Sequence, residues 1–375
     1  MPDYPFQTLT DLPRHGRVLI YGSGAAAGTV LARIRAERPD VTVPCLVDSF
    51  RRGEALGLPL IMRADLPGLA GGFDHILIAS AWWRDIAAAL EGDGVTAWGV
   101  AAPVLWHKYV FSDDELLRAR PMLDAVEAML ATKQDRELFR FLTECRRENS
   151  PLVDMDAISP RLADAPGVSV SLCAHLGGQY LDFVARESIR TVLHAGAFDG
   201  RDCLRFLEAF PAVVMIHGFE PQGVARIKAD TRAAIRESGR VSIHPMGLWS
   251  DTRSLPLTGS GGCATLASDV SPAMGADRVD TVSVDEFVAR NNVGRVDYLC
   301  LDVEGAELPA LDGARRTIEV HRPQLAVCIY HLKEDFFRLP LILRERLDGY
   351  LYRLGHYSGG LHETVLYAIP EELVN

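Results

Sequence analysis

The sequence predicts an α/β protein built from two doubly wound, Rossmann-like domains joined by a helical connector. Short apolar runs alternate with helix-like stretches over residues 17–100, and the alternation resumes over roughly 200 residues after about residue 165. Between them lies a charged stretch with apolar residues at helical spacing and no strand-like run. At 375 residues and 48% hydrophobic, the chain is long for one ordinary domain and has ample material for two cores.

Residues 1–108 make the first domain. RVLIY (17–21) runs into GSGAAAG and then into the helix-like TVLARIRAERP. VTVPCLVD (41–48), a turn-rich segment at Gly57-Leu58-Pro59, HILIAS (75–80), helical AWWRDIAAALEGDG and VTAWGV (95–100) follow. Gly22 and Gly24 stand between a strand and a helix, and Asp48 ends the next strand. That is the context of a dinucleotide fingerprint, with phosphate at the helix N-terminus and a carboxylate for ribose hydroxyls. Close strand–helix packing demands the same small residues with no ligand at all. The two readings stand level, and the domain has no Tyr-x-x-x-Lys or comparable hydride-transfer apparatus.

Residues 109–165 form the connector. Its helical texture runs from Ser112 to about Asn149, and Ser112 followed by Glu115 matches a capping box. A packed spacer is the expectation.

Residues 166–375 make the second domain. Its strand candidates are TVLHAG (191–196), VVMIHGFE (213–220), VSIHPMGL (241–248), DYLCLDV (297–303) and QLAVCIY (324–330), with YLYRLGHY and ETVLYAI as an antiparallel pair. LHAGAFDGRD (193–202) places a glycine loop between a strand and a helix, and Glu220 ends the next strand. No Lys-Ser/Thr follows the loop, which excludes a P-loop. Acids at the strand ends suit a positive or neutral ligand better than a phosphorylated one. Asp302, Glu304 and Glu307 crowd the end of the fourth strand. Helix capping explains Glu304 and Glu307 equally well, whereas an aspartate closing an apolar run needs water, a ligand or a partner.

Composition narrows the partners. Fifty acids against 39 bases give a net charge of −11, which argues against a sequence-independent grip on nucleic acid or anionic membrane. The seven cysteines (45, 145, 173, 203, 263, 300, 328) form no C-x-x-C pair and read as buried thiols in a reducing compartment. The N-terminus lacks the pattern of a signal peptide and no apolar run approaches the ~20 residues of a membrane span, so the expected location is cytoplasmic.

In order, GQYLD, GAFDG, GFEP, DTVSVDEF, LDVEGAELPALDGA, IYHLKEDF and HYSGGLHETVLYA resemble segments of the FkbM family of S-adenosylmethionine-dependent O-methyltransferases, over roughly residues 176–370. The resemblance implies a class I methyltransferase fold for the second domain, with S-adenosyl-L-methionine as cofactor. It places Gly196, Asp199 and Gly200 in the cofactor loop, Glu220 at the ribose and Asp251 near the adenine. Asp302 and Glu304 would face the methyl group and the acceptor. His194 stands where the family pattern has an acid, and beside a sulfonium it has to stay neutral. The first domain resembles sugar-nucleotide-binding modules in GSGAAAG, LVD (46–48), GLPLI (57–61) and ILIASAWWRDI (76–86).

A sugar-like hydroxyl is a poor nucleophile at neutral pH and gains ~10²–10⁴-fold from a general base. Asp302 and His331 are the candidates, His331 having the better intrinsic pKa. His356 and His362 are structural or substrate-facing, and two or three carboxylates are a thin basis for a metal, so none is assigned. The expected acceptor is a small molecule or glycan, or a nucleotide-activated sugar, and a homo-oligomer is compatible with it. A nicotinamide-linked sugar-modifying enzyme and a non-catalytic scaffold with a decayed cofactor site are the competing readings.

Overall fold

The structure, a computed structural model, describes residues 7–69, 71–80, 82–101, 109–147, 178–224, 227–258, 265–266, 278–357 and 361–374. The expected border at 165/166, the end of the connector, Cys173 and Cys263 lie outside the described residues. The chain divides into two compact units, Met1–Val110 and Phe111–Asn375. Among the described residues no helix is long and apolar enough to cross a membrane.

The first unit holds β1 (Val18–Tyr21), α1 (Ala25–Glu37), β2 (Leu46–Asp48), β3 (Gly53–Ala55), β4 (Leu58–Met62), β5 (His75–Ile78), α2 (Trp83–Gly92) and β6 (Trp98–Val100). The sheet order is β3-β4-β2-β1-β5-β6, parallel except for β3 at one edge. Every residue of β1 is buried, as expected of a parallel strand covered on both faces. Val18, Ile20, Val30, Ile34, Leu46 and Leu77 build the core. The segment expected to be turn-rich is the β3–β4 hairpin, with Leu56 and Gly57 in left-handed backbone at its tip.

The second unit opens with two helices, α3 (Asp113–Met129) and α4 (Lys133–Cys145). Ser112 caps α3 by accepting from the Glu115 amide, and Thr132 caps α4 in the same way through Asp135. Both helices pack within the second unit. Leu138, Phe139, Leu142 and Cys145 form a buried stripe on α4.

Next come β7 (Thr191–Ala195), α5 (Arg201–Ala209), β8 (Met215–Phe219), α6 (Ala229–Ser238), β9 (Val241–His244), β10 (Gly247–Leu248), β11 (Ser254–Thr258), β12 (Thr265–Leu266) and β13 (Arg278–Val282). Then follow α7 (Val284–Arg290), β14 (Tyr298–Leu301), α8 (Glu307–Asp312), α9 (Arg315–His321), β15 (Gln324–Cys328), α10 (Asp335–Arg346), β16 (Tyr350–His356) and β17 (Thr364–Pro370). The main sheet has the order β16-β17-β15-β14-β7-β8-β9. Its five strands from β9 to β15 are parallel, while β17 runs antiparallel to β15 and β16 antiparallel to β17. The chain moves outward from β7 to β9 and then returns to β14 on the other side of β7. The crevice at the carboxyl ends of β7 and β14 is therefore the topological switch point, where open α/β sheets place their ligands.

The run VSIHPMGL, expected as one strand, is two. Pro245 has no N–H to donate and breaks it, so β9 stays in the main sheet while β10 pairs with β13 in a separate sheet of order β10-β13-β11-β12. Trp249, Leu255, Leu266 and Ala306 form the small core beneath that sheet. α3 and α4 pack on the other flank: Phe139 stacks on Phe336 of α10 at 4.7 Å, and Arg353 of β16 pairs with Asp135 at 2.7 Å.

Candidate active site

The glycine loop after β7 is shaped by contacts only glycine allows. Gly196 has φ +85, and a Cβ there would lie 1.8 Å from the carbonyl oxygen of Asp302. Gly200 has φ +78, and its Cβ would lie 2.8 Å from Ile235 Cδ1. The two switch-point strands thus meet backbone to backbone at Gly196 and Asp302. Asp199 accepts from the Arg201 amide at 3.1 Å and sits 3.2 Å from its guanidinium.

Glu220, directly after β8, is buried beside this loop. Its carboxylate accepts from the Phe198 amide at 3.1 Å and the Gln222 amide at 2.9 Å. The acid expected at the ribose therefore touches the loop that would hold the rest of the cofactor.

The third part is the turn after β14. Glu304 (φ +51) and Gly305 (φ +96) carry it through left-handed backbone. Glu307 reaches back from the start of α8 and accepts from the Val303 amide at 2.9 Å and the Gly305 amide at 3.1 Å. Its Oε1 also lies 2.8 Å from His331 Nδ1. The opposite ring nitrogen, Nε2, is 3.3 Å from Asp302 Oδ1 and 3.6 Å from Glu304 Oε1. Capping alone thus does not account for these acids, which surround one buried histidine.

Burial opposes a charge on His331, but Glu307 and Asp302 outweigh it and raise its pKa well above the ordinary value. A pKa raised in this way favours the protonated ring, which argues against His331 as the base. Burial likewise opposes charge on Asp302, yet His331 and the Tyr180 hydroxyl hold it down at about 2. Tyr180 donates to Asp302 Oδ2 at 2.6 Å, and Tyr330 donates to Oδ1 at 3.4 Å.

Two expected site residues lie elsewhere. His194 is fully buried in β7, with its ring 5.2 Å from Phe206 and 5.9 Å from Tyr180. Burial lowers its pKa and keeps it neutral, so it is a core side chain and not a cofactor contact. Asp251 lies in the bend between β10 and β11 of the side sheet and is half-exposed in an ion pair with Arg253. His356 is buried with Nδ1 2.9 Å from Thr364 Oγ1, which is a structural role.

In the first unit, Gly22 (φ +133) leaves no room for a Cβ, which would lie 2.7 Å from the Ala79 carbonyl oxygen. Gly24 begins α1 with open space around it. The Asp48 carboxylate is already engaged: it accepts from Ser23 Oγ at 2.7 Å and from the amides of Phe50 and Arg51. The two amide bonds close its own loop, and the Ser23 bond ties it to the glycine loop.

Sequence reasoning missed Gln179, Tyr180, Tyr330 and Glu363. Their signal was present only as the segments GQYLD, IYHLKEDF and HYSGGLHETVLYA. Tyr180, Phe198, Glu304 and Glu363 all have positive φ without being glycine. Such strain gathers where function over-determines the backbone. Among the described residues no group of three or more His, Cys, Asp or Glu side chains is arranged to hold a metal ion.

Residues 194–354 match the family model of the methyltransferase FkbM domain. The matched stretch lies within the second unit. The match begins at β7 and takes in the glycine loop, Glu220, the turn after β14 and His331, and the family implies methyl transfer. The chain is also similar to the crystal structure of Methyltransferase FkbM from Methylobacillus flagellatus KT, with TM-score 0.62 and 18% identity, covering 94% of this chain and 91% of that one. At that identity the likeness concerns the fold. No curated protein matches the chain.

Proposed function

We propose that the FkbM domain is an S-adenosylmethionine-dependent O-methyltransferase acting on a hydroxyl of a sugar, glycan precursor or related metabolite. One observation carries this reading: at the switch point a glycine loop, a buried acid after β8 and three carboxylates around one histidine meet in one crevice. The excess of acid suits a sulfonium cation and disfavours a phosphate. The backbone of Gly196–Gly200 would hold the amino-acid tail, and Glu220 would accept from ribose hydroxyls. When bound, the cofactor supplies the electrophilic methyl group. Asp302 and Glu304 would line the methyl and acceptor side, with His331 neutralising part of their charge.

In the same reading the first unit binds a sugar or sugar nucleotide. Phe50 and Trp82 support this: they stand 87% and 72% exposed just beyond the carboxyl ends of β2 and β5, as rings that stack on sugars or bases do.

Calorimetric titration with S-adenosylmethionine and with NAD tests the reading. Binding of the first alone is expected. Binding of NAD alone would favour the nicotinamide-linked enzyme, and binding of neither a scaffold. A methyl-transfer screen against nucleotide sugars and glycan fragments, read by product mass, then finds the acceptor.

A further inference from the structure

We propose that Glu363 takes the acceptor's hydroxyl proton during methyl transfer. The proposal rests on the methyltransferase reading above.

Its position follows from topology. Glu363 directly precedes β17, whose Val365 pairs with Cys328 at the end of β15. Because β17 runs antiparallel, its first residue lies at the same sheet end as Asp302 and His331. The local backbone is pinned: the Ile329 amide donates to the Thr364 carbonyl at 3.0 Å, and the Tyr357 amide to the Glu363 carbonyl at 3.0 Å. Buried Arg146 donates to the Leu361 carbonyl at 2.8 Å and to Thr364 Oγ1 at 3.2 Å. Glu363 itself is held at φ +59, a conformation a glutamate adopts only under constraint.

The carboxylate has a chain of partners leading into the crevice. Gln179 Nε2 donates to Glu363 Oε2 and also to the Tyr180 hydroxyl at 3.0 Å, and that hydroxyl donates to Asp302. Tyr330 also lies near Glu363 and donates to Asp302 Oδ1 at 3.4 Å. The titratable groups facing Glu363 from neighbouring elements are Asp302 after β14, Tyr330 and His331 after β15, Cys328 within β15, and Tyr180.

The other candidates are spoken for. His331 has both ring nitrogens facing carboxylates that raise its pKa, Asp302 is too weakly basic, and Glu307 is bound to two amides and the His331 ring. Burial and the charge of Asp302 bring Glu363 up to about 7, where a carboxylate accepts and releases a proton near neutrality. In the step, a lone pair on the acceptor oxygen forms the new C–O bond. The S–C bond breaks with its electron pair kept by sulfur, and the hydroxyl proton passes to Glu363. Sulfonium and carboxylate give thioether and carboxylic acid, and the acid returns its proton to water.

The test uses the full chain and E363Q, with E363D as the conservative variant. A mixture of methyl hexopyranosides and nucleotide hexoses serves as acceptor probe, and S-adenosylhomocysteine formation is followed against pH. Expected for E363Q are calorimetric S-adenosylmethionine affinity within about threefold of wild type, turnover down about 100-fold or more, and loss of the acid limb near pH 7. E363D should regain part of the rate on a shifted limb. Turnover in folded E363Q within threefold of wild type would overturn the proposal. Infrared titration, which needs no acceptor, should show a wild-type carboxyl protonating near neutrality that E363Q lacks; its absence in wild type overturns the proposal by itself. Failure of wild type to bind S-adenosylmethionine overturns the underlying reading, and the titration still reports on Glu363 separately.

Discussion

Nδ1 of His331 lies 2.8 Å from Oε1 of Glu307, and both side chains are buried. The pair fixes which ring nitrogen faces Asp302 and favours the charged imidazole. Because folding raises this pKa, the cluster stabilises the fold fully below the ordinary histidine value of 6.5 and loses that contribution as pH climbs past the folded-state value. Glu307→Gln should lower the His331 pKa, seen by NMR titration of the ring. It should also cost about 3–5 kcal/mol of stability at pH 6, the penalty for stripping one partner from a buried pair, and less at high pH. A pKa unchanged from wild type would show that Asp302 and Glu304 suffice.

Asp302 carries the opposite sign. Its carboxyl is held at about 2 against an ordinary value of 3.8, so its contribution is present above the ordinary value and disappears as pH falls toward 2. Asp302→Asn should flatten this part of the acid-unfolding curve. Denaturant melts between pH 5 and pH 2 read the difference, and curves of identical slope would contradict it.

Gly196→Ala should be severe. The added methyl meets the Asp302 carbonyl at 1.8 Å on a left-handed backbone, so the strands must part or the loop refold. Left-handed strain alone costs roughly 1–3 kcal/mol, and the clash adds to it. Chemical denaturation should show at least that loss, together with loss of S-adenosylmethionine binding by calorimetry.

Glu220→Gln keeps the shape of the side chain and removes its charge. A hydrogen bond to a charged group contributes about 1.5–3 kcal/mol, so S-adenosylmethionine affinity should fall about 10- to 100-fold. Urea unfolding should show only a modest change. Unaltered affinity would remove Glu220 from the ribose.

Arg146→Met tests the support behind Glu363. The guanidinium lies 4.0 Å over the Phe336 ring and bonds the Leu361 carbonyl and Thr364 hydroxyl. Leaving those acceptors without a donor should cost about 1–3 kcal/mol in thermal or urea unfolding. It should also move the Glu363 titration seen in the infrared, which a purely global loss of stability would not do.

The parts of the site that the sequence made legible are those written locally. The glycine loop, Glu220 and the Asp302–Glu307 turn each occupy a few consecutive residues at a strand end. The unread parts arise from distant pairings: Glu307 with His331, Tyr180 with Asp302, Gln179 with Glu363, spanning 24, 122 and 184 residues. No spacing rule reports those. His194 was misread because a motif gives the position of a side chain but not the apolar rings around it. The parallel strands and closing hairpin were readable from long apolar runs, whereas β10 and β12 are two-residue strands with no periodicity to detect.

Arg146 also bears on where a minimal methyltransferase could be cut. The border that the sequence suggests, at residue 166, and the family match, beginning at residue 194, both discard α3, α4 and this guanidinium. A fragment so trimmed would uncover the Phe336 ring and leave the loop that carries Glu363 without its brace. The helix pair belongs to the second unit, and expressing that unit alone means starting from Phe111.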